Sequence, residues 1–352
     1  MIVRLLCLVM FSVLITPALA HTPRGGLAIA VSPDGKTIAT GGDNRTLYIV
    51  DAATMTVQKR HWLKTTIWGI HFNQAGTKII VEDTKMNLYL IDATTLVTEK
   101  VLAKSGYFTI ARQAGLGVSL DGNYKGHTLS VRSLADLSTT KTIEFPKGQK
   151  VGAFGLNAKG TQVAVITQAV KDPSETVIRK APRELTGADK DTFKQKHDGK
   201  TALVQVYDIG TGKKLSEAKT FYTTQTGSLV TFIDNTPAFI NFSNVNATVS
   251  PDGKTTLFRM PHGLNYGWGV SEDGQRIVAG DLARGSLAQV GADVAATIKA
   301  TKMFNAQKLP GWPEYFKAFA FGPDGSTYGA TSGYRIIKID STGSIVGETP
   351  IY

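Results

Sequence analysis

Few residues in this chain have types and settings that could do chemistry. His71 lies in IWGIHF and Arg112 in YFTIARQ, each within an apolar and aromatic run. A histidine there offers an acid–base group or a metal ligand near neutral pH. An arginine offers a fixed charge to an anion. The plainer alternatives are a hydrogen-bonded core histidine and an arginine paired with a neighbouring acid. A second set is aromatic and basic. Trp62, Trp68, Tyr107, Tyr266, Trp268, Trp312 and Tyr315, with Phe108, Phe221, Tyr222 and Phe316, fall among His61, Lys64, Lys104, Lys150, His262, Glu314 and Lys317. Aromatic faces would supply stacking and apolar area, and the cations would supply charge to an anionic ligand. Large side chains at such places also wedge neighbouring sheets together without any ligand. The motifs H-E-x-x-H, G-x-S-x-G, G-x-x-x-x-G-K-[ST] and C-x-x-C-H are absent, and no cofactor is expected.

The elements that must position these residues are short strands. LAIAVSPDGKTIATGGDNRTLYIVD reads as three of them, each rich in β-branched or aromatic residues and each bounded by turn formers. The unit recurs. A hairpin glycine is followed 16 residues later by a strand-ending residue in the pairs Gly35/Asp51, Gly76/Asp92, Gly117/Ser133, Gly274/Val290, and, one residue shorter, Gly325/Asp340. A fourth unit begins VGAFGLNAKGTQVAVIT and ends LVQVYD at Asp208, which leaves an insertion of about 32 residues. For the fifth unit, LVTFIDNTPAFINF is the first hairpin and Ser250-Pro251-Asp252-Gly253 closes the third strand. Starting the unit at that second SPDG would leave only 21 residues to Gly274, too few for four strands. Seven units of about 40 residues, each of four strands, predict an all-β, seven-bladed β-propeller with four-stranded antiparallel blades. The innermost strand opens each blade. The aromatic and basic residues above then gather where those strands start, around one mouth of the central channel.

On the segments SPDGKTIATGG, LYIVDAATM, LYLIDATTL, VYDIGTGK and IIKIDSTG, the chain resembles the exported WD-repeat and YVTN-type propellers of bacteria. The Trp-Asp dipeptide of that family is replaced by Val50-Asp51, Ile91-Asp92, Tyr207-Asp208 and Ile339-Asp340, and its Gly-His dipeptide is missing. The resemblance implies the fold and says little of activity.

Residues 1–20 carry Arg4, an apolar run and a Pro17-Ala18-Leu19-Ala20 ending, the pattern of a cleavable secretory signal peptide. The apolar run is too short to span a bilayer. Export to the periplasm, or secretion, follows, with residues 21–352 forming one domain. Cys7 lies in the leader, so the mature domain has no disulfide. Cleavage after Ala20 exposes His21, whose amine and imidazole can chelate Cu(II), although a two-histidine site needs a second one nearby. The net charge is +11, or +10 without Arg4, which favours a protein partner, an anionic small molecule or an anionic envelope polymer. Nucleic acid does not belong to that compartment. Residues 170–200 form a polar insertion within blade four, read as a solvated excursion or as an arm over one face.

The readings that follow differ in class. A non-enzymatic binding or scaffold protein uses the aromatic and basic rim, and the lack of a catalytic constellation favours it. An enzyme or cofactor-bearing subunit uses channel groups such as His71, Arg112, His262 and Glu314. The resemblance admits this second reading, since some propellers of this kind are lactonases or parts of quinone- or haem-dependent dehydrogenases. Copper handling through His21 is the third.

Overall fold

The computed structural model describes residues 28–122, 126–146, 151–168, 202–220, 229–233, 236–240, 246–250, 255–258, 267–282, 284–289, 302–306 and 314–351. These form seven four-stranded antiparallel sheets, each a simple meander in chain order. The inner strands are Ala28–Val31, Ile67–Phe72, Ser105–Ala111, Val151–Leu156, Leu229–Ile233, Gly267–Val270 and Phe316–Phe321. The fifth blade has the predicted register. Its third strand is Asn246–Val249, and the second SPDG lies between that strand and Thr255–Phe258. The insertion sits between Gln162–Gln168 and Ala202–Asp208, and it falls outside the described residues together with the leader and His21.

Burial follows position within a blade. Second strands such as Lys78–Asp83 are buried on both faces, while fourth strands such as Thr56–Trp62 are mostly exposed. This is why second strands read as continuous apolar runs and fourth strands carry the charge. Seven apolar clusters hold the ring, one at each junction between neighbouring blades. The cluster that joins blade seven to blade one contains Val31, Ile38, Tyr328, Ile336 and Ile351. Among the described residues no strand is exchanged between those two blades, so closure of the ring rests on side-chain contacts rather than on strand pairing.

Local chemistry explains the regular spacing. The hairpin glycines Gly35, Gly76, Gly160, Gly274 and Gly325 have positive φ, where a side chain is disfavoured. Asp51 Oδ1 accepts the Thr54 amide at 2.7 Å and the Thr54 hydroxyl at 2.9 Å. Asp92 with Thr95, Asp208 with Thr211 and Asp340 with Thr342 repeat that turn. These bonds hold all four carboxyls below the usual range. Blade three departs from the predicted pattern. Its hairpin runs through a 3-10 turn, Arg112–Ala114, and the glycine of positive φ is Gly115 rather than Gly117. Gly117 lies inside the next strand, where a Cβ would come within 2.3 Å of the Phe108 ring.

A second repeat is carried by lysines. Lys59, Lys100 and Lys141, 41 residues apart, sit on fourth strands, and each donates to a carbonyl in the turn after the third strand of the next blade: Thr94, Asp136 and Gly210. Lys302 does the same to Ser341, at 2.8 Å. Lys338 reaches Ala52 O across the closing junction at 3.3 Å.

Candidate functional site

The inner strands surround an axial cavity of about 660 Å³. Its lining runs from the middle of these strands to the hairpins that follow them, where it meets Pro33, Gln74, Gln113, Asp273 and Pro323. Strand register places Ala30, His71, Gly155, Gly269 and Ala320 at one equivalent position, opposite Ala39, Ile80, Ala164, Val278 and Tyr328. Converging strands leave little room there. A Cβ on Gly155 would lie 2.0 Å from Val230 O in the next blade. His71 is the one member of this set with a functional group.

The His71 ring meets Phe108 edge-on, with centroids 5.7 Å apart and planes at 73°. Burial depresses its pKa to about 4, with a backbone hydrogen bond at Phe108 opposing and the Arg112 charge assisting. The imidazole is therefore neutral at pH 7. Glu82, on the second strand of the same blade, is 4% exposed. Its Oε1 accepts the Tyr107 amide at 2.5 Å and its Oε2 accepts the Phe108 amide at 2.9 Å. Burial raises its pKa to about 7 against those two bonds. A Cβ on Gly69 would stand 3.4 Å from Glu82 Oε2 and 3.9 Å from His71 Nε2, so this glycine borders both the acid and the imidazole. The sequence gives no sign of Glu82, which sits in an ordinary second-strand run, KIIVED.

Arg112 reaches across the hairpin end of the channel. Its Nη1 donates to Val31 O of blade one at 2.8 Å, and its Nε lies 3.1 Å from Glu272 Oε1 of blade six. It thus lines the cavity and pairs with an acid at once, joining the two alternatives read from the sequence. Burial raises the pKa of Glu272, and Arg112 opposes that rise. Trp268 and Arg276, both of blade six, line the same cavity. The indole Nε1 and the guanidinium Nη1 are buried and, among the described residues, have no hydrogen-bond partner. Arg276 lies 4.8 Å over the Phe321 ring, and its Nη2 reaches Gly322 O at 3.3 Å.

The predicted aromatic and basic belt is divided. His71, Arg112 and Trp268 come together in the axial cavity. Trp68 and Tyr107 stand at the starts of inner strands, while Trp62, read from the sequence as part of the connection, ends the outer fourth strand of blade one; the three are 57%, 38% and 61% exposed. Lys64 Nζ lies 6.0 Å from the Trp62 ring, His61 beside it is half-buried, and Lys104 is exposed in the connection leading to Tyr107. Tyr107 has φ +55°, and its amide is bound by Glu82. At blade seven, Lys317 Nζ lies 5.5 Å from the Tyr315 ring, and both residues are half-buried. Glu314 is committed to the interior. It is 4% exposed, pairs with Arg335 through both oxygens, and accepts the Thr331 hydroxyl. Its side chain faces this buried arginine because an unpaired guanidinium there would be costly. Lys150, Phe221, Tyr222, His262, Tyr266 and Trp312 lie outside the described residues. Among the described residues, no three His, Cys, Asp or Glu side chains converge as a metal-ligand set, and no helix is long and apolar enough to cross a membrane.

No protein-family model matches the chain, and no curated protein matches it. Among solved structures it is similar to Kuenenia stuttgartiensis hydrazine synthase, with 12% sequence identity and a TM-score of 0.61 over 91% of this chain and 97% of that one. At that identity the likeness shows the ring alone.

Proposed function

We propose that this ring is an exported, WD-repeat- or YVTN-like, non-enzymatic binding or scaffold protein that holds an acidic partner against its inner-strand-start face. One observation carries the reading. Trp62, Trp68 and Tyr107 are large aromatics left exposed on one face of blades one to three, interleaved with the exposed Lys64 and Lys104. Exposed aromatic groups rimmed by charge mark interaction surfaces, and Trp and Tyr dominate the energetics of such contacts. The cations beside these aromatics, Lys64 and Lys104, complement an acidic protein surface. In an affinity purification from periplasm, the native ring returns one stoichiometric partner, and the triple variant Trp62→Ala/Trp68→Ala/Tyr107→Ala, folded by circular dichroism, loses it. Recovery of the bare native ring, or equal recovery by both proteins, would overturn the reading.

A further inference from the structure

The axial cavity holds charges that the proposed partner surface does not use. Arg276 is half-buried and stacks on Phe321; among the described residues it has no carboxylate in ion-pair contact, and its Nη1 makes no hydrogen bond. A guanidinium removed from water without an anion is costly. Trp268 presents a second unbonded N–H donor on the same wall. Arg112, from the opposite side of the ring, meets a single carboxylate, Glu272, through Nε. Burial raises the pKa of that carboxylate against the pull of Arg112, and the other guanidinium nitrogens of Arg112 meet no carboxylate among the described residues. Between these polar groups the lining includes apolar side chains that are only half-buried, Ala30, Ile110, Val270, Trp268 and Phe321. A volume of about 660 Å³ is that of a small-molecule site.

We propose that the axial cavity binds a small organic carboxylate with an apolar body. The ligand's carboxylate takes the place of Glu272 on Arg112 and neutralises Arg276, while its body lies against the aliphatic and aromatic wall. Glu272 then acts as a resident competitor, closing the hairpin mouth of the channel in the empty ring. This site is separate from the proposed partner surface, and either can exist without the other.

The test is a titration of the full chain with benzoate, followed by tryptophan fluorescence and checked by calorimetry, with benzamide as the uncharged counterpart and inorganic phosphate as an anion without an apolar body. Saturable benzoate binding is expected, at least tenfold tighter than benzamide and than phosphate. Arg112→Met and Arg276→Gln should each weaken it at least tenfold. Glu272→Gln should tighten it several-fold by freeing Arg112. Trp62→Ala/Trp68→Ala should leave it unchanged. If Arg112→Met fails to fold, Arg276→Gln and Glu272→Gln carry the test between them. Equal affinity for benzoate and benzamide, no saturation by benzoate, or a Glu272→Gln ring that binds more weakly would each overturn the proposal. Tighter binding of phosphate than of benzoate would overturn the assignment to an apolar carboxylate.

Discussion

Glu314→Ala isolates the role of an acid that sequence position alone places beside the channel mouth. Glu314 and Arg335 are 4% and 3% exposed, and the guanidinium grips both carboxylate oxygens. Removing the acid leaves a buried cation undercompensated, which typically costs about 3–5 kcal/mol. Glu348, 2.5 Å from Arg335 Nη1 and 39% exposed, remains as a partner and brings the expected loss to the lower end, about 3 kcal/mol. Unfolding entropy of about 2.1 cal/mol/K per residue over roughly 320 residues gives about 0.7 kcal/mol/K, so the melting temperature should fall by about 4 °C. The double variant Glu314→Leu/Arg335→Met removes both charges and keeps apolar volume. It should recover most of that loss, because exchanging a buried pair for hydrophobic groups is often neutral. Differential scanning calorimetry at pH 7 on the three proteins decides. A single variant melting within about 1 °C of the native ring would refute the reasoning, as would a double variant less stable than the single one.

Three further outcomes follow from the same structure. Glu82 has a folded pKa near 7 against 4.5, so its contribution is complete below about pH 4.5 and is lost as pH rises through 7. At about 1.4 kcal/mol per pH unit, that loss is about 3 kcal/mol. His71, near 4 against 6.5, acts in the opposite sense: its contribution is complete above about pH 6.5 and is lost as pH falls through 4. The windows overlap, so urea midpoints at pH 5, 6.5 and 8 should show Glu82→Gln gaining on the native ring as pH rises, and His71→Gln gaining as pH falls; flat differences would remove both assignments. Gly155→Ala drives a Cβ toward Val230 O, fixed backbone of blade five, and should cost about 3 kcal/mol by chemical denaturation, the upper range for overpacking. Ile351→Ala empties a fully buried place in the cluster that joins blade seven to blade one, and should cost about 3 kcal/mol, with a lowered denaturant midpoint.

The blades were legible because their signals are local. A glycine of positive φ in the hairpin and an aspartate bonded to a threonine two or three residues on fix both ends of the repeat in blades one, two, four and seven. Blade three misled at its glycine because a 3-10 turn replaces the usual hairpin and shifts the conformational requirement to Gly115. The site was legible only in part, since ring closure brings together residues remote in sequence. His71 and Trp268 could be placed on inner strands from their repeats, and Arg112 next to the end of one. The meeting of Arg112 with Val31 and Glu272, 81 and 160 positions away, could not. Glu82 left no sequence signal because its partners are backbone amides of the next blade.

Net charge is the signal most easily overread here. Lys59, Lys100, Lys141 and Lys302 are cations on outer strands, directed at turn carbonyls of the following blade. A lysine recurring at the repeat length is accounted for by these contacts between blades, whatever the ring binds. These charges lie at the perimeter, away from the channel axis, and at physiological salt a charge is largely screened beyond about 8 Å. They raise the overall charge without aiming it at either mouth. The cations that bear on recognition are those beside exposed aromatics, Lys64 and Lys104, and those on the axis, Arg112 and Arg276. Position relative to the ring axis therefore separates recognition from architecture, and the count of basic residues does not.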